Sequence, residues 1–152
     1  MTTLSGRARK ERLLRVFERT GASGKWTRPF NEMPDAVRDR LRLEAQPAEG
    51  EALILACYRD ESHWVLLTSE RLMVRSSTQM TRLPWSEISD ATVGSTDVQT
   101  ALTRRPKGKL DLERLTVVQA NGRVVEIEVE PGPSFVGLWN VLKTVAVLRS
   151  RS

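Results

Sequence analysis

The apolar residues near the N-terminus recur with the period of an α-helix. Leu13 and Leu14 lie four and three residues before Phe17, the spacings that bring side chains to one helix face. Arg7–Thr20 is therefore predicted to be a helix, with the hydroxyl of Ser5 as its N-cap. The apolar stripe is narrow and arginines crowd the opposite face. The pattern favours a helix whose narrow apolar side packs against a protein surface.

A linker and a second helix are predicted to follow. Gly21–Pro29 has the Gly and Pro content that is typical of a connection. Pro34 suits the first turn of a helix, and Val37 and Leu41 give that helix an apolar edge. Pro47–Gly50 is expected to end the helical part of the chain.

From Glu51 onward the apolar period changes to two, and turn signals recur about every ten residues. Asn121-Gly122 predicts a hairpin with a type I′ turn, which needs positive φ at both residues. A stripe from Phe135 to Ala146 has helical spacing and predicts an amphipathic C-terminal helix. Seven short strands are predicted, near residues 53–58, 64–68, 71–75, 80–85, 88–93, 110–120 and 125–130.

Turn signals at this spacing are typical of a small antiparallel sandwich or barrel. The predicted fold is α+β, a seven-stranded antiparallel barrel closed by a C-terminal helix and preceded by two N-terminal helices. Residues 1–47 are predicted to form a helical N-terminal extension and residues 48–152 the barrel domain. The barrel is expected to have one core, shared by six large side chains: Trp64, Leu66, Val125, Ile127, Leu138 and Trp139.

Several segments resemble the bacterial pleckstrin-homology-like family. They are Gly50-Glu51 before the first strand, the Trp64–Leu72 segment WVLLTSERL, the Leu83–Ile88 segment LPWSEI and the final helix. The resemblance covers Gly50–Leu148, and it implies the seven-stranded barrel and a binding role without chemistry. One departure concerns the loop that carries basic residues in lipid-binding members of the wider superfamily. Here it reads RDES, which is as acidic as it is basic.

Positive charge is concentrated in an N-terminal arm. The net charge is +5, from 24 Lys and Arg against 19 Asp and Glu. Residues 1–28 hold eight basic and two acidic residues, a net of +6, and residues 29–152 hold sixteen and seventeen, a net of −1. The positive charge of the arm is consistent with a solvated helix face. It is also consistent with a surface that contacts an anion or a partner. The candidate contacts, including four in the long polar connection Gly94–Lys109, are Arg7, Arg9, Lys10, Arg12, Arg15, Arg19, Arg104, Arg105, Lys107 and Lys109.

No residue pattern predicts catalysis or a cofactor. Cys57 and His63 are the only strong soft-metal ligand types, too few for a metal site, and no third group is evident to orient them as a catalytic pair. The segment 21–27 only superficially resembles a phosphate loop, because it lacks the required spacing. Three glutamates, at 126, 128 and 130, are predicted to share one strand face. They are expected to pair with basic side chains of a neighbouring strand, such as Arg114.

The sequence therefore predicts a protein that is not an enzyme and needs no cofactor. It also predicts a cytoplasmic protein, because Cys57 is its only cysteine and no run of about 18 apolar residues occurs. The expected function is a protein-binding module, one version being a stand-alone inhibitor or immunity protein that covers a cognate partner. The alternative is a peripheral adaptor held at an anionic membrane by the basic N-terminal helix. Nucleic acid is a weaker alternative, because the predicted barrel is close to neutral.

Overall fold

The structure is a computed structural model, and it describes residues 5–93 and 114–150. The first helix, α1, spans Gly6–Thr20, where the sequence predicts a helix. The Ser5 hydroxyl accepts a hydrogen bond from the Ala8 amide at 3.1 Å, as expected for an N-cap. The second helix, α2, spans Asp35–Ala45, and Gln46 ends it in the left-handed conformation.

Five antiparallel strands form the larger sheet. They are β1 (Thr27–Pro29), β2 (Leu53–Asp60), β3 (His63–Thr68), β4 (Arg71–Ser76) and β5 (Gln79–Pro84), and they neighbour one another in chain order. The short strand β1 lies inside the segment that was predicted to be a linker. Its three residues pair with the middle of β2, which places β1 at one edge of this sheet.

Three antiparallel strands form the smaller sheet. They are β6 (Ile88–Thr92), β7 (Arg114–Gln119) and β8 (Val124–Glu128), again in chain order. The last helix, α3, spans Pro133–Ser150. Two short 3-10 turns, Phe30–Glu32 and Trp85–Glu87, complete the described elements.

The predicted seven-stranded barrel closed by a C-terminal helix is wrong. Within residues 5–93 and 114–150 the strands form two separate sheets of five and three, and no closed barrel. The prediction also lacked β1 and the two 3-10 turns. The larger sheet ends at β5, because Pro84 at the end of that strand has no amide hydrogen to donate. The turn Trp85–Glu87 then leads the chain into the smaller sheet.

The larger sheet is buried on both faces, so the molecule has two cores instead of the predicted single one. Trp64 and Leu66 pack on the outer face against α2. Ile127 and Leu138 belong to the inner core, between the two sheets and α1 and α3. The alternation along β3 was read correctly as period two, but both sets of side chains are buried. Alternation alone does not show how many faces of a sheet are covered.

The hairpin between β7 and β8 forms where it was predicted, with a different turn. Gly122 has φ +88°, whereas Asn121 does not have positive φ, so the turn is not type I′. The Gln119 amide bonds to the Arg123 carbonyl at 2.8 Å, and the Gly122 amide bonds back to the Gln119 carbonyl at 2.9 Å. Three residues therefore form the loop, with glycine at the left-handed position.

Helices α1 and α3 pack closely because two glycines meet at their crossing, Gly21 directly after α1 and Gly137 within α3. A Cβ atom on Gly137 would lie 2.8 Å from Cδ1 of Phe17, and one on Gly21 would lie 2.6 Å from the Cα of Gly137. Leu13, Val16 and Phe17 of α1 lie in the inner core. The N-terminal helix is thus packed together with the strands.

A buried ion pair ties the end of α2 to the β3–β4 turn. The Glu51 side chain is only 4% exposed, and its Oε2 atom lies 2.9 Å from Nε of Arg71. Glu51 also accepts hydrogen bonds from the Thr68 hydroxyl at 2.6 Å and the Ala48 amide at 2.9 Å. Arg71 donates to the Ala45 carbonyl, the last residue of α2. Burial alone would raise the pKa of Glu51, but these hydrogen bonds together hold it below its usual range.

Among the helices of the described residues, none combines the length and the apolar character needed to cross a bilayer.

Candidate functional site

A groove of about 420 Å³ opens between the two sheets. Buried apolar residues of both sheets form its floor. The larger sheet contributes Cys57, Val65 and Val74, and the smaller sheet contributes Ile127 of β8, with Val129 directly after that strand. Its size falls in the range of about 300–1,000 Å³ that is typical of ligand sites. The groove exists because the two sheets are not joined at this edge.

The floor is a row of neighbours across three strands. Cys57 of β2 is opposite Val65 of β3, and Val65 is opposite Val74 of β4. Adjacent strands lie about 4.8 Å apart, so this row spans about 10 Å. His63 and Ser76, which are opposite each other, follow on the same side of β3 and β4 and line the mouth.

Arg59 occupies one side of the mouth. Its guanidinium carbon lies 5.5 Å from the centre of the Trp26 ring, and its Nη1 atom lies 3.8 Å from Oε2 of Glu128. Trp26 precedes β1 and Glu128 ends β8, so these contacts bring residues of both sheets together. Because the aromatic ring and the carboxylate both restrict Arg59, its guanidinium is held at the groove entrance.

Glu130 fixes the segment that carries Trp26. Its carboxylate accepts three consecutive backbone hydrogen bonds, from Lys25 at 2.6 Å, from Trp26 at 2.8 Å and from Thr27 at 3.0 Å. Consecutive amides that converge in this way form an anion-binding concavity. The amides of residues 25–27 therefore bind an anion, and within the chain that anion is the Glu130 carboxylate.

Arg114 and Glu126 form a second ion pair beside the groove. Their Nη1 and Oε2 atoms are 3.7 Å apart. The predicted pairing of a strand-face glutamate with Arg114 is confirmed for Glu126. The neighbouring Glu128 pairs with Arg59 instead, and Glu130 turns toward the chain's own amides. The three glutamates, which the sequence groups together, thus have three different partners.

Cys57 and His63 both line the groove, and Asp60 supplies the orienting group that the sequence analysis lacked. Nδ1 of His63 lies 3.1 Å from Oδ1 of Asp60. A hydrogen bond from the Ser62 amide, followed by the one with His63, lowers the pKa of Asp60. Burial raises the pKa of the Cys57 thiol, which keeps the sulfur in its weakly nucleophilic protonated form. In the register Cys57 is opposite Val65 and not opposite His63.

The predicted basic helix divides into engaged and free arginines. Arg9 donates to the Ser69 carbonyl at 2.6 Å and lies 4.5 Å from the Trp85 ring, so it fastens α1 to the larger sheet. Arg7 pairs with Glu11 at 3.3 Å, and Lys10 is half-buried. The remaining three arginines are exposed and make no ion pair within the described residues: Arg12, Arg15 and Arg19.

The other predicted contacts, Arg104, Arg105, Lys107 and Lys109, lie outside the described residues. Of the candidate contacts that the structure describes, which are Arg7, Arg9, Lys10, Arg12, Arg15 and Arg19, none lines the groove. The groove residues that sequence reasoning missed are Trp26, Arg59 and Arg75 at its mouth. Arg59 follows Cys57 at strand spacing, which places both on one face of β2 and was the one available signal.

Comparison of the chain with family models, with curated proteins and with solved structures finds no match. The resemblance to the bacterial pleckstrin-homology-like family is therefore untested by relatives and stays a prediction from the sequence.

Proposed function

We propose that this chain is a non-catalytic binding module that receives a segment of a partner protein in the groove between its sheets. The observation that carries the proposal is the combination of an apolar floor with a charged mouth at an open junction of two sheets. Three arginines and two glutamates line the groove, a net charge of +1 by side chain: Arg59, Arg75, Arg114, Glu126 and Glu128. An inhibitor or immunity role is one use of such a module.

The dimensions favour an extended peptide as the occupant. A floor about 10 Å long accommodates about three residues of extended chain, at about 3.3 Å each. Trp26 and Arg59 are of the residue types that dominate binding energy in protein interfaces. Both are held in place before binding, Trp26 by Glu130 and Arg59 by Trp26, so a partner would not have to order them.

A non-catalytic role is favoured by the state of Cys57. Burial raises the pKa of its thiol, which disfavours the nucleophilic thiolate, and its neighbour across the strands, Val65, is apolar. A cytoplasmic location is part of the proposal, because a lone thiol persists in a reducing compartment.

The test is a peptide-display selection on the full chain, followed by affinity measurements with two tryptophan variants. Ser76→Trp places an indole at the groove mouth, and Ser76 is exposed, so the fold should survive. Thr78→Trp is the matched control, since Thr78 is exposed in the β4–β5 turn and does not line the groove. We expect selected peptides to lose at least tenfold in affinity for Ser76→Trp and to bind Thr78→Trp like the parent. Equal affinity for both variants would exclude the groove as the binding site.

The second candidate is a peripheral adaptor at an anionic membrane, favoured by Arg12, Arg15 and Arg19, which are exposed and make no ion pair with another described residue. Each cation near such a surface contributes about 1 kcal/mol, so three supply only about 3 kcal/mol. The apolar side of α1 adds nothing, because Leu13 and Phe17 are buried in the inner core. This candidate therefore ranks below peptide binding.

A further inference from the structure

Two glutamates of β8 pair with arginines at the mouth of the groove. Glu126 and Glu128 are two residues apart on one strand and so point to the same side of the smaller sheet. Glu128 reaches Arg59 at the end of β2, and Glu126 reaches Arg114 at the start of β7. The chain's own carboxylates thus neutralise two of the three arginines at the site where a ligand would enter.

These pairs have the geometry of contacts that exchange easily. They are long, at 3.8 and 3.7 Å, and the glutamate side chains are 70% and 58% exposed. An exposed pair contributes about 0–1 kcal/mol. The buried pair of Glu51 and Arg71 differs in both respects, since it is 2.9 Å long and only 4% of the Glu51 side chain is exposed. Breaking the pairs at the groove costs the fold little.

We infer, on the basis of the proposed peptide-binding function, that Glu126 and Glu128 are internal competitors for an acidic partner segment. In the free protein they occupy Arg114 and Arg59. On binding, a carboxylate of the partner replaces them, while a neighbouring apolar side chain of the partner enters the groove. The recognised segment therefore combines an apolar residue with an adjacent Asp or Glu.

The chemistry of Arg59 supports a carboxylate as the incoming group. A guanidinium offers a planar set of donors that matches the two oxygens of a carboxylate. The Trp26 ring stacks on Arg59 without using its in-plane N–H donors, so the arginine stays oriented when Glu128 leaves. Glu128 then returns to solvent, where most of its surface already lies.

The experiment measures the affinity of two synthetic peptides for four proteins by fluorescence anisotropy at low salt. The peptides are acetylated pentamers with a central leucine that is flanked by aspartates in one and by asparagines in the other. The proteins are the full-length parent, Glu126→Gln, Glu128→Gln and the control Glu87→Gln. Glu87 is exposed next to Ile88, which pairs with Gln119 at the end of the smaller sheet away from Arg114.

The aspartate peptide should bind Glu126→Gln and Glu128→Gln about two- to fivefold more tightly than the parent, since removing a competing pair of up to about 1 kcal/mol changes affinity by that factor. The asparagine peptide should bind all four proteins alike, and Glu87→Gln should match the parent.

Three other results would each overturn the inference. Equal gains in Glu87→Gln and Glu128→Gln would indicate a general charge effect. Equal binding of the two peptides by the parent would show that no carboxylate is recognised. Both of these leave the proposed peptide-binding function standing. Failure of both peptides to bind the parent, together with equal affinity of selected peptides for Ser76→Trp and Thr78→Trp, would remove the function and the inference together.

Discussion

Arg59 of the larger sheet lies 3.8 Å from Glu128 of the smaller sheet, and this ion pair crosses a seam at which the described strands of the two sheets do not pair. The two residues are 69 positions apart in the sequence. Their contact marks the open side of the molecule, directly beside the apolar floor of the groove. The groove is thus a consequence of the topology: two sheets that share an inner core but leave one seam unpaired.

The buried pair of Glu51 and Arg71 should make stability depend on acid pH. The folded-state pKa of Glu51 is lowered below its free-chain value of about 4.3. Its contribution is therefore fully present above that value and is lost as the pH falls through the folded-state pKa. We expect Glu51→Gln to lower the free energy of unfolding by about 1–3 kcal/mol at pH 7 and to resemble the parent at low pH.

Urea denaturation of both proteins between pH 7 and pH 3 measures this effect. Glu49→Gln is the control, since Glu49 is exposed and nearby. A loss in Glu51→Gln that is independent of pH would contradict a role for the ionised carboxylate.

Gly137→Ala should destabilise the protein even though alanine is the better helix former. Helix propensity favours alanine by about 1 kcal/mol. Against this, the added Cβ would lie 2.8 Å from Phe17, and such overpacking costs about 1–3 kcal/mol. We expect a net loss of up to about 2 kcal/mol, seen as a fall in Tm of up to about 8 °C. Val136→Ala, at an exposed position of the same helix, should change Tm little. A Tm for Gly137→Ala above that of the parent would show that α1 and α3 are not in close contact here.

Glu130→Gln should loosen the segment that carries Trp26. The variant replaces a carboxylate that accepts three amide hydrogen bonds with an amide group that has one acceptor oxygen. We expect a loss of about 1–3 kcal/mol in the free energy of unfolding and faster hydrogen exchange at the Trp26 and Thr27 amides. Glu128→Gln, two residues earlier and exposed, should leave both properties near those of the parent. Unchanged exchange in Glu130→Gln would rule out the proposed positioning of Trp26.

Neutralising the free arginines of α1 tests the membrane candidate without disturbing the core. The triple variant Arg12→Gln, Arg15→Gln, Arg19→Gln should keep the Tm of the parent, since all three side chains are exposed. Deleting residues 1–28 should unfold the protein, because Leu13 and Phe17 are buried in the inner core. We expect no co-sedimentation of the parent with anionic vesicles at about 0.1 M salt, where the Debye length is about 10 Å. Binding by the parent that the triple variant loses would favour the membrane candidate over the groove.

Local elements could be predicted from the sequence because each depends on neighbouring residues. The spacing of Leu13 and Phe17 and the cap at Ser5 predicted α1 correctly. The alternation of Ile127 and Val129 with glutamates predicted the inner and outer faces of β8. The hairpin at Gly122 was predicted, but its turn type was not, because Asn-Gly also suits a three-residue loop.

The topology and the groove could not be predicted in the same way. The choice between one barrel and two sheets depends on whether β5 and β6 pair, and Pro84 between them permitted either interpretation. Trp26 lay in an apparent linker, and its position depends on Glu130, more than a hundred residues away. The arginines at the groove mouth are spread over β2, β4 and β7, so no local pattern brings them together.

The central claim, that a partner segment lies in the groove, is tested most directly by intermolecular nuclear Overhauser effects between a selected peptide and the methyl groups of the isotope-labelled full chain. We expect contacts from an apolar side chain of the peptide to Val65, Val74 and Ile127, which lie on the floor of the groove. Contacts confined to the exposed large apolar residues elsewhere on the described surface, Leu43, Val124, Val136 and Val147, would contradict it.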